Sequence, residues 1–309
     1  MLVNIKINGP KIPILSIIYS ISILIIYILY TIRYVGLEFK ELQKNMSMNV
    51  LTLKTVQISP FRTLMTALKD ILLETNITFQ PDGMRIINMD KSHTILAHLY
   101  LKAENFEFYE CKRDKIIIGV NMFHLFKLIN SIDNDDTLTM YIEEADYNDG
   151  IVNHLGLRFE NGDIKQCKTQ KLRLIEPDVE ELEVPNVSFS SIINLPSTDF
   201  QKIVRDLSCI SDKIEIKSVA NELIFKCQGA FASAEVRRAE SDGSMEFIQQ
   251  DNHKIIQGNF SLKNLSYFIK CTNLCSQIEM YLENDLPLVV KYSVASLGDI
   301  KLCLAPLPS

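Results

Sequence analysis

Apolar residues at 61, 64, 65, 68, 71 and 72 recur with the period of a helix that buries one face, and those at 200, 203, 204 and 207 do the same. Phe61–Asp70 and Phe200–Leu207 are therefore predicted as amphipathic helices, with Ser59 and Asp199 as their expected N-caps. Alternating segments follow each helix. Ile77-Thr-Phe leads through the turn Asp82-Gly83 to Met84-Arg-Ile-Ile-Asn, and Ile214-Glu-Ile-Lys leads through Ala220-Asn221 to Leu223-Ile-Phe. Both predict β-hairpins. A second short helix is expected near Met122–Asn130 and again near Leu262–Cys271. Then come Leu138-Thr-Met-Tyr-Ile-Glu143 and Ile278-Glu-Met-Tyr-Leu-Glu283, an echo across 140 residues.

The pattern is thus a duplication of one helix-plus-antiparallel-sheet unit, an α+β class. The copies meet at Ile175–Pro185, where two prolines and five acidic residues predict an extended, solvated connector. The expected organisation is a first domain over 48–173, a connector over 174–190 and a second domain over 191–309.

Residues 1–47 differ in kind. Ile12–Ile32 is an uncharged run of 21 residues, long enough for a membrane-spanning helix. It reads as an anchor, as a targeting segment, or as the result of a start codon placed upstream of Met46 or Met48. The last is the expectation adopted here, because the pattern after Met48 reads as self-sufficient. Of a total formal charge of −6, the first 47 residues hold five Lys/Arg against two Glu, which leaves −9 for the rest.

On the helices, cations stand opposite the apolar stripe. Arg62 and Lys69 are seven residues apart, as are Lys263 and Lys270; Lys202 and Arg205 are three apart, and Lys127 lies on the remaining helix. Asp70, Asp199 and Asp206 are the acids near these faces. A sequence-independent DNA contact needs this arrangement, since Lys and Arg bind phosphate by releasing counterions without reading bases. Taken alone, the same faces suit any solvated surface helix.

Catalytic signatures are missing: the chain has no GxGxxG, GxxxxGK[ST], HExxH or GxSxG string. The seven cysteines include no CxxC, and Cys271 with Cys275 has no matching ligand pair for zinc. Neither a cofactor nor a metal nor an enzymatic activity is expected.

Short strings in one order complete the reading: Ala67-Leu-Lys-Asp70, Met89-Asp-Lys-Ser-His93, Tyr109-Glu-Cys-Lys-Arg113, Gly119-Val-Asn121, Arg205-Asp-Leu-Ser208, Leu286-Pro-Leu-Val-Val290 and Leu304-Ala-Pro306. Together, from about Val50 to Pro306, they resemble the proliferating cell nuclear antigen family of DNA sliding clamps. The resemblance implies a head-to-tail homotrimeric ring with helices lining the hole and sheets outside. It implies a processivity factor that encircles double-stranded DNA, acting in the nucleus or at a viral replication site. All seven cations fall on basic channel positions of the family; one further basic position falls on Asn130 and a histidine position on Cys209.

The implied partners are DNA polymerase, a clamp loader and other proteins carrying a short docking peptide, with a membrane added only if residues 12–32 are retained. The resemblance places the peptide pocket at Met89, His93, Thr94, Leu96, Leu182, Val184, Pro185, Pro287, Ala305 and Pro306. Each of these alone reads as ordinary packing. Glu183 and Cys303 depart from the family's small connector residue and pocket-wall tyrosine. Edge strands near Lys165–Leu172 and Ala230–Arg238 are implied to pair between subunits, with Gln170 at an interface tyrosine position. The alternatives are a clamp-like adaptor that forms no ring or is tethered to a membrane, and a viral processivity factor that needs no loader.

Overall fold

The computed structural model describes residues 48–308 apart from 179–181, 183, 186, 242 and 252. The apolar run at 12–32 and the departure at Glu183 lie outside the described residues. Among those described, no helix is long and apolar enough to cross a membrane.

Two halves follow one another with the same order of elements, apart from one short strand pair in the first. The first contains β1 (Asn49–Thr55), α1 (Ile58–Ile71), β2 (Glu74–Gln80), β3 (Gly83–Met89), β4 (Ile95–Lys102), β5 (Phe108–Cys111) and β6 (Ile116–Asn121). It continues with α2 (Met122–Ile129), β7 (Thr137–Glu143), the short pair β8 (Tyr147–Asn148) and β9 (Ile151–Val152), β10 (His154–Asn161) and β11 (Gln166–Arg173). The second begins with β12 (Ser191–Pro196), α3 (Ser197–Ser208), β13 (Lys213–Val219), β14 (Glu222–Gln228), β15 (Ser233–Ala239), β16 (Glu246–Gln250) and β17 (Ile256–Ser261). Then come α4 (Leu262–Phe268), a 3-10 turn (Ile269–Leu274), β18 (Gln277–Leu282), β19 (Leu288–Val294) and β20 (Gly298–Leu304).

The helical period does what it predicts. Phe61, Leu64, Met65 and Leu68 of α1, and Phe200, Ile203, Val204 and Leu207 of α3, are buried. The expected caps are wrong. α1 starts at Ile58 and α3 at Ser197, so Ser59 and Asp199 lie inside the first turns. Each helix follows its strand so closely that the cap position falls on Gln57 or Pro196, neither of which caps through its side chain. Asp199 instead sits where a carboxylate favours the positive end of the helix dipole. The side-chain caps belong to the shorter helices: Asn121 accepts from the His124 N–H and Ser261 from the Asn264 N–H.

Three antiparallel sheets carry the fold. Their orders are β11-β10-β7-β1-β5, β15-β14-β13-β17 and the nine-stranded β16-β12-β18-β19-β20-β4-β3-β2-β6. The nine-stranded sheet joins the halves, because β20 pairs with β4 from Gly298↔Leu101 to Leu304↔Ile95. Cross-strand partners share a face. One register row runs Ala97, Leu302, Val290, Met280, Ile193, all fully buried. Leu302, Val290, Met280 and Ile193 each contribute roughly 2 kcal/mol of transfer free energy, and the single methyl of Ala97 less. The helices form one continuous layer: α1 packs on α2, on β4 and β19, and on the 3-10 turn after α4, while α3 packs on α4 and the same turn. The order across the layer is α2, α1, α4, α3.

The connector leaves β11 and is pinned at once. The Ile175 N–H donates to Gly119 O at 3.0 Å. Asn76 and Asp178 exchange two bonds, at 2.7 and 2.9 Å. Gly119 is required there, because a Cβ would stand 2.5 Å from Ile175 O. Gly119→Ala is expected to cost about 1–2 kcal/mol as an overpacked contact and to speed amide exchange at Ile175. Unchanged exchange at that amide would show that the connector does not depend on this approach.

Candidate functional site

Two surfaces carry the residues singled out in the sequence. The first is the outer side of the helix layer. Lys127, Lys202, Arg205, Lys263 and Lys270 are exposed, while Arg62 and Lys69 are half-buried. Their situations differ. Arg62 donates to Asn134 Oδ1 at 3.0 Å and to the Ile132 carbonyl, in the loop after α2. Lys69 is 2.8 Å from Asp70 Oδ1 and 4.8 Å above the Phe126 ring, which ties α1 to α2. Lys270 also reaches Asp70, through Oδ2. Lys127 lies 4.4 Å over Phe123, one turn back on its own helix. Among the described residues no ion pair engages Lys202, Arg205 or Lys263. Asn130 and Cys209 sit at the C-terminal ends of α2 and α3, both exposed.

The second surface is the face of the nine-stranded sheet turned away from the helices. The register row beside the buried one reads Met89, Leu96, Cys303, Val289, Tyr281, Ile192, from six different strands. It forms an apolar stripe: Met89 is 36% exposed, Val289 nearly buried, and the rest half-buried. Burial pushes the Cys303 thiol up to about 11, so it is a neutral wall at physiological pH. A polar row borders it, with His98, Lys301, Lys291 and Glu279 in register. Lys291 is 3.0 Å from Glu279, and burial together with Lys301 pushes the His98 imidazole below its ordinary value.

The other border is a turn built by Asp90. Its carboxylate accepts from the backbone N–H groups of Ser92 at 3.1 Å, Thr94 at 2.8 Å and Ile95 at 2.6 Å. Burial alone would raise its pKa, but these donors hold the carboxyl below the usual range. The turn puts His93 at φ 54 and lets Ala305 N–H donate to Thr94 O at 2.9 Å. Met89, His93, Thr94, Leu96 and Ala305 are thus one neighbourhood. Pro306 lines a separate groove of ≈ 710 Å³ with Lys217, Gln257, Asn259, Asn284 and Leu307. Pro287 is exposed just before β19.

The connector is anchored to this same outer face at both ends. Asn76 belongs to it at the β2 end; at the other end Phe189 packs edge-on against Tyr281, centroids 5.5 Å apart, and accepts from Gln249 at 3.0 Å. Between the anchors Leu182 is half-buried, and Val184 and Pro185 are exposed. Sequence reading missed Val289, Tyr281, Ile192 and Phe189. Their alternation marks strands, but only the pairing register puts them in line with Met89.

Residues 50–181 match the family described as proliferating cell nuclear antigen, N-terminal domain, and residues 183–307 match its C-terminal domain. The chain is 33% identical over 261 residues to the probable DNA polymerase sliding clamp 1 of Paramecium bursaria Chlorella virus 1, covering 83% of this chain and 97% of that protein. It is 30% identical over 253 residues to the proliferating cell nuclear antigen of Chaetomium thermophilum, covering 81% and 95%. The tandem matches span both halves and the connector; the chain belongs to the proliferating cell nuclear antigen family.

Proposed function

We propose that the chain is a DNA sliding clamp that closes with two copies of itself into a ring around duplex DNA. It acts there as a scaffold rather than a catalyst, in the nucleus or at a viral replication site. The observation that carries this reading is the position of the free sheet edges. Among the described residues β11 and β15 are two of the terminal strands, one in each of the smaller sheets. β11 lies beside α2, where Lys168 reaches Ser131 at 3.1 Å, and β15 lies beside α3, where Arg238 pairs with Asp199. These two edges, unpaired among the described residues, therefore flank the two ends of the helix layer. Pairing β11 of one copy with β15 of the next extends both the sheets and the layer, and turns the cations inward. Unpaired edges invite such a strand.

The apolar stripe on the outer face then serves as the docking site for polymerase and other partners. Between the connector anchors it offers a shallow apolar band with polar borders, which suits a short peptide with apolar anchors. Cys303 makes one wall smaller than the tyrosine that the family resemblance implies there, so a larger anchor fits here.

Light scattering during size-exclusion chromatography tests the ring. The expected mass is that of three protomers at micromolar concentration. A single-protomer mass under those conditions overturns closure.

A further inference from the structure

Two of the seven cations on the helix layer already hold an anion. Asp70 closes α1. Its Oδ1 stands 2.8 Å from Lys69 Nζ, and its Oδ2 accepts from Lys270 Nζ in the turn after α4. One carboxylate therefore bridges the seam between the first half of the chain and the second. It is largely shielded, with 25% of its side chain exposed. Burial would raise its pKa, but Lys270 and Lys69 outweigh that and hold it ionised. Lys270 also rests 5.4 Å over Tyr267, as Lys69 rests over Phe126, so both ammoniums are held in place. Lys202 and Arg205 on α3, and Lys263 at the start of α4, meet no such anion among the described residues.

We propose that Asp70 is a built-in surrogate for phosphate: it masks Lys69 and Lys270, and DNA reaches them only by displacing its carboxylate. The proposal rests on the DNA-encircling reading. A carboxylate oxygen and a phosphate oxygen offer an ammonium the same kind of charge-assisted bond. Release of the cations condensed on DNA drives phosphate binding, and an ammonium that keeps its carboxylate neutralises no phosphate and so frees none of them. The grip on DNA is therefore weakest at the seam between α1 and α4 and strongest under α3. A clamp that must move along its track gains from such a slack sector.

The test is a salt titration of duplex-DNA affinity with the full chain. Asp70→Asn keeps the shape and removes the charge. It is expected to steepen the dependence of log affinity on log salt by about one to two units and to raise affinity roughly tenfold at 0.1 M salt. Asp206→Asn is the control, because Asp206 is exposed on α3 and no ion pair engages it among the described residues. It adds the same charge to the layer but frees no lysine, and its slope should match the parent. If Asp70→Asn behaves like Asp206→Asn, or weakens binding, masking is wrong.

Should Asp70→Asn fail to fold, Lys270→Gln and Lys202→Gln in the parent background decide the matter. The masked lysine should cost less than half the slope of the free one; equal losses overturn the proposal. Lys202→Gln also separates the two readings. If it lowers affinity while Asp70→Asn changes nothing, only masking fails. If it too changes nothing, the DNA reading itself fails.

Discussion

Lys202→Glu combined with Arg205→Glu is expected to lower duplex-DNA affinity by about 50-fold or more at 0.1 M salt, and to flatten the salt dependence by about two units. Both side chains are exposed on α3, and neither has an ion-pair partner among the described residues. Each is therefore free to take a phosphate, and each lost contact forfeits roughly tenfold at that salt concentration through the counterions no longer released. Reversal of sign adds repulsion to that loss. The change should be the same for any DNA sequence, because phosphate contacts carry no base information. The fold should survive, since α3 is held by Phe200, Ile203, Val204 and Leu207 on its opposite face. The checks are a salt titration of binding, a polymerase processivity assay and a thermal unfolding curve. Unchanged affinity in a folded variant would refute the helix layer as the DNA surface.

Glu283→Gln is expected to reduce stability at pH 7 by about 2 kcal/mol, with the difference shrinking as the pH falls. Glu283 directly follows β18 and accepts from Ser190 N at 2.9 Å, from the Ser190 hydroxyl, from Asn284 N at 3.1 Å and from Lys254. Burial would push its pKa up, but Lys254 and Ser190 lead the donors that hold it down at about 2. A carboxyl with a depressed folded-state pKa stabilises the fold above its unfolded pKa, about 4.5, and loses that contribution between there and about pH 2. The full linkage is about 3 kcal/mol; Lys254 is 40% exposed, so screening trims it. The contacts also fix Ser190, the last residue before β12, so the variant should loosen the second anchor of the connector. Denaturant curves of both proteins from pH 7 to pH 3 test this. A difference that stays constant across that range would mean that Glu283 is not the titrating support.

Glu283 and Glu143 close the two copies of the Met-Tyr-aliphatic-Glu echo, and each took a different partner. Glu143 pairs with Lys171 on the edge strand β11 at 2.7 Å, while Glu283 holds Lys254 and the connector. The duplication was legible in the sequence; the divergence of its two glutamates was not, because one partner comes from a strand and the other from a loop, with no common motif. The helix caps illustrate the same limit. Ser59 and Asp199 have the right chemistry, but the strand-to-helix junctions are too tight to use it.

What the sequence by itself determined is what local period and chain order encode: two amphipathic helices per half, hairpins between them, cations opposite the apolar stripes, and the ordered strings of a family. What only the tertiary structure decided is which of those residues meet. Lys69 and Asp70 are neighbours in the chain, yet the lysine that completes their cluster lies 200 residues away. The apolar stripe takes one residue from each of β3, β4, β20, β19, β18 and β12, aligned only by pairing register. Periodicity tells a strand which of its faces is apolar, but long-range pairing decides which side chains stand in line, and a slip of one residue would turn every one of them to the other face.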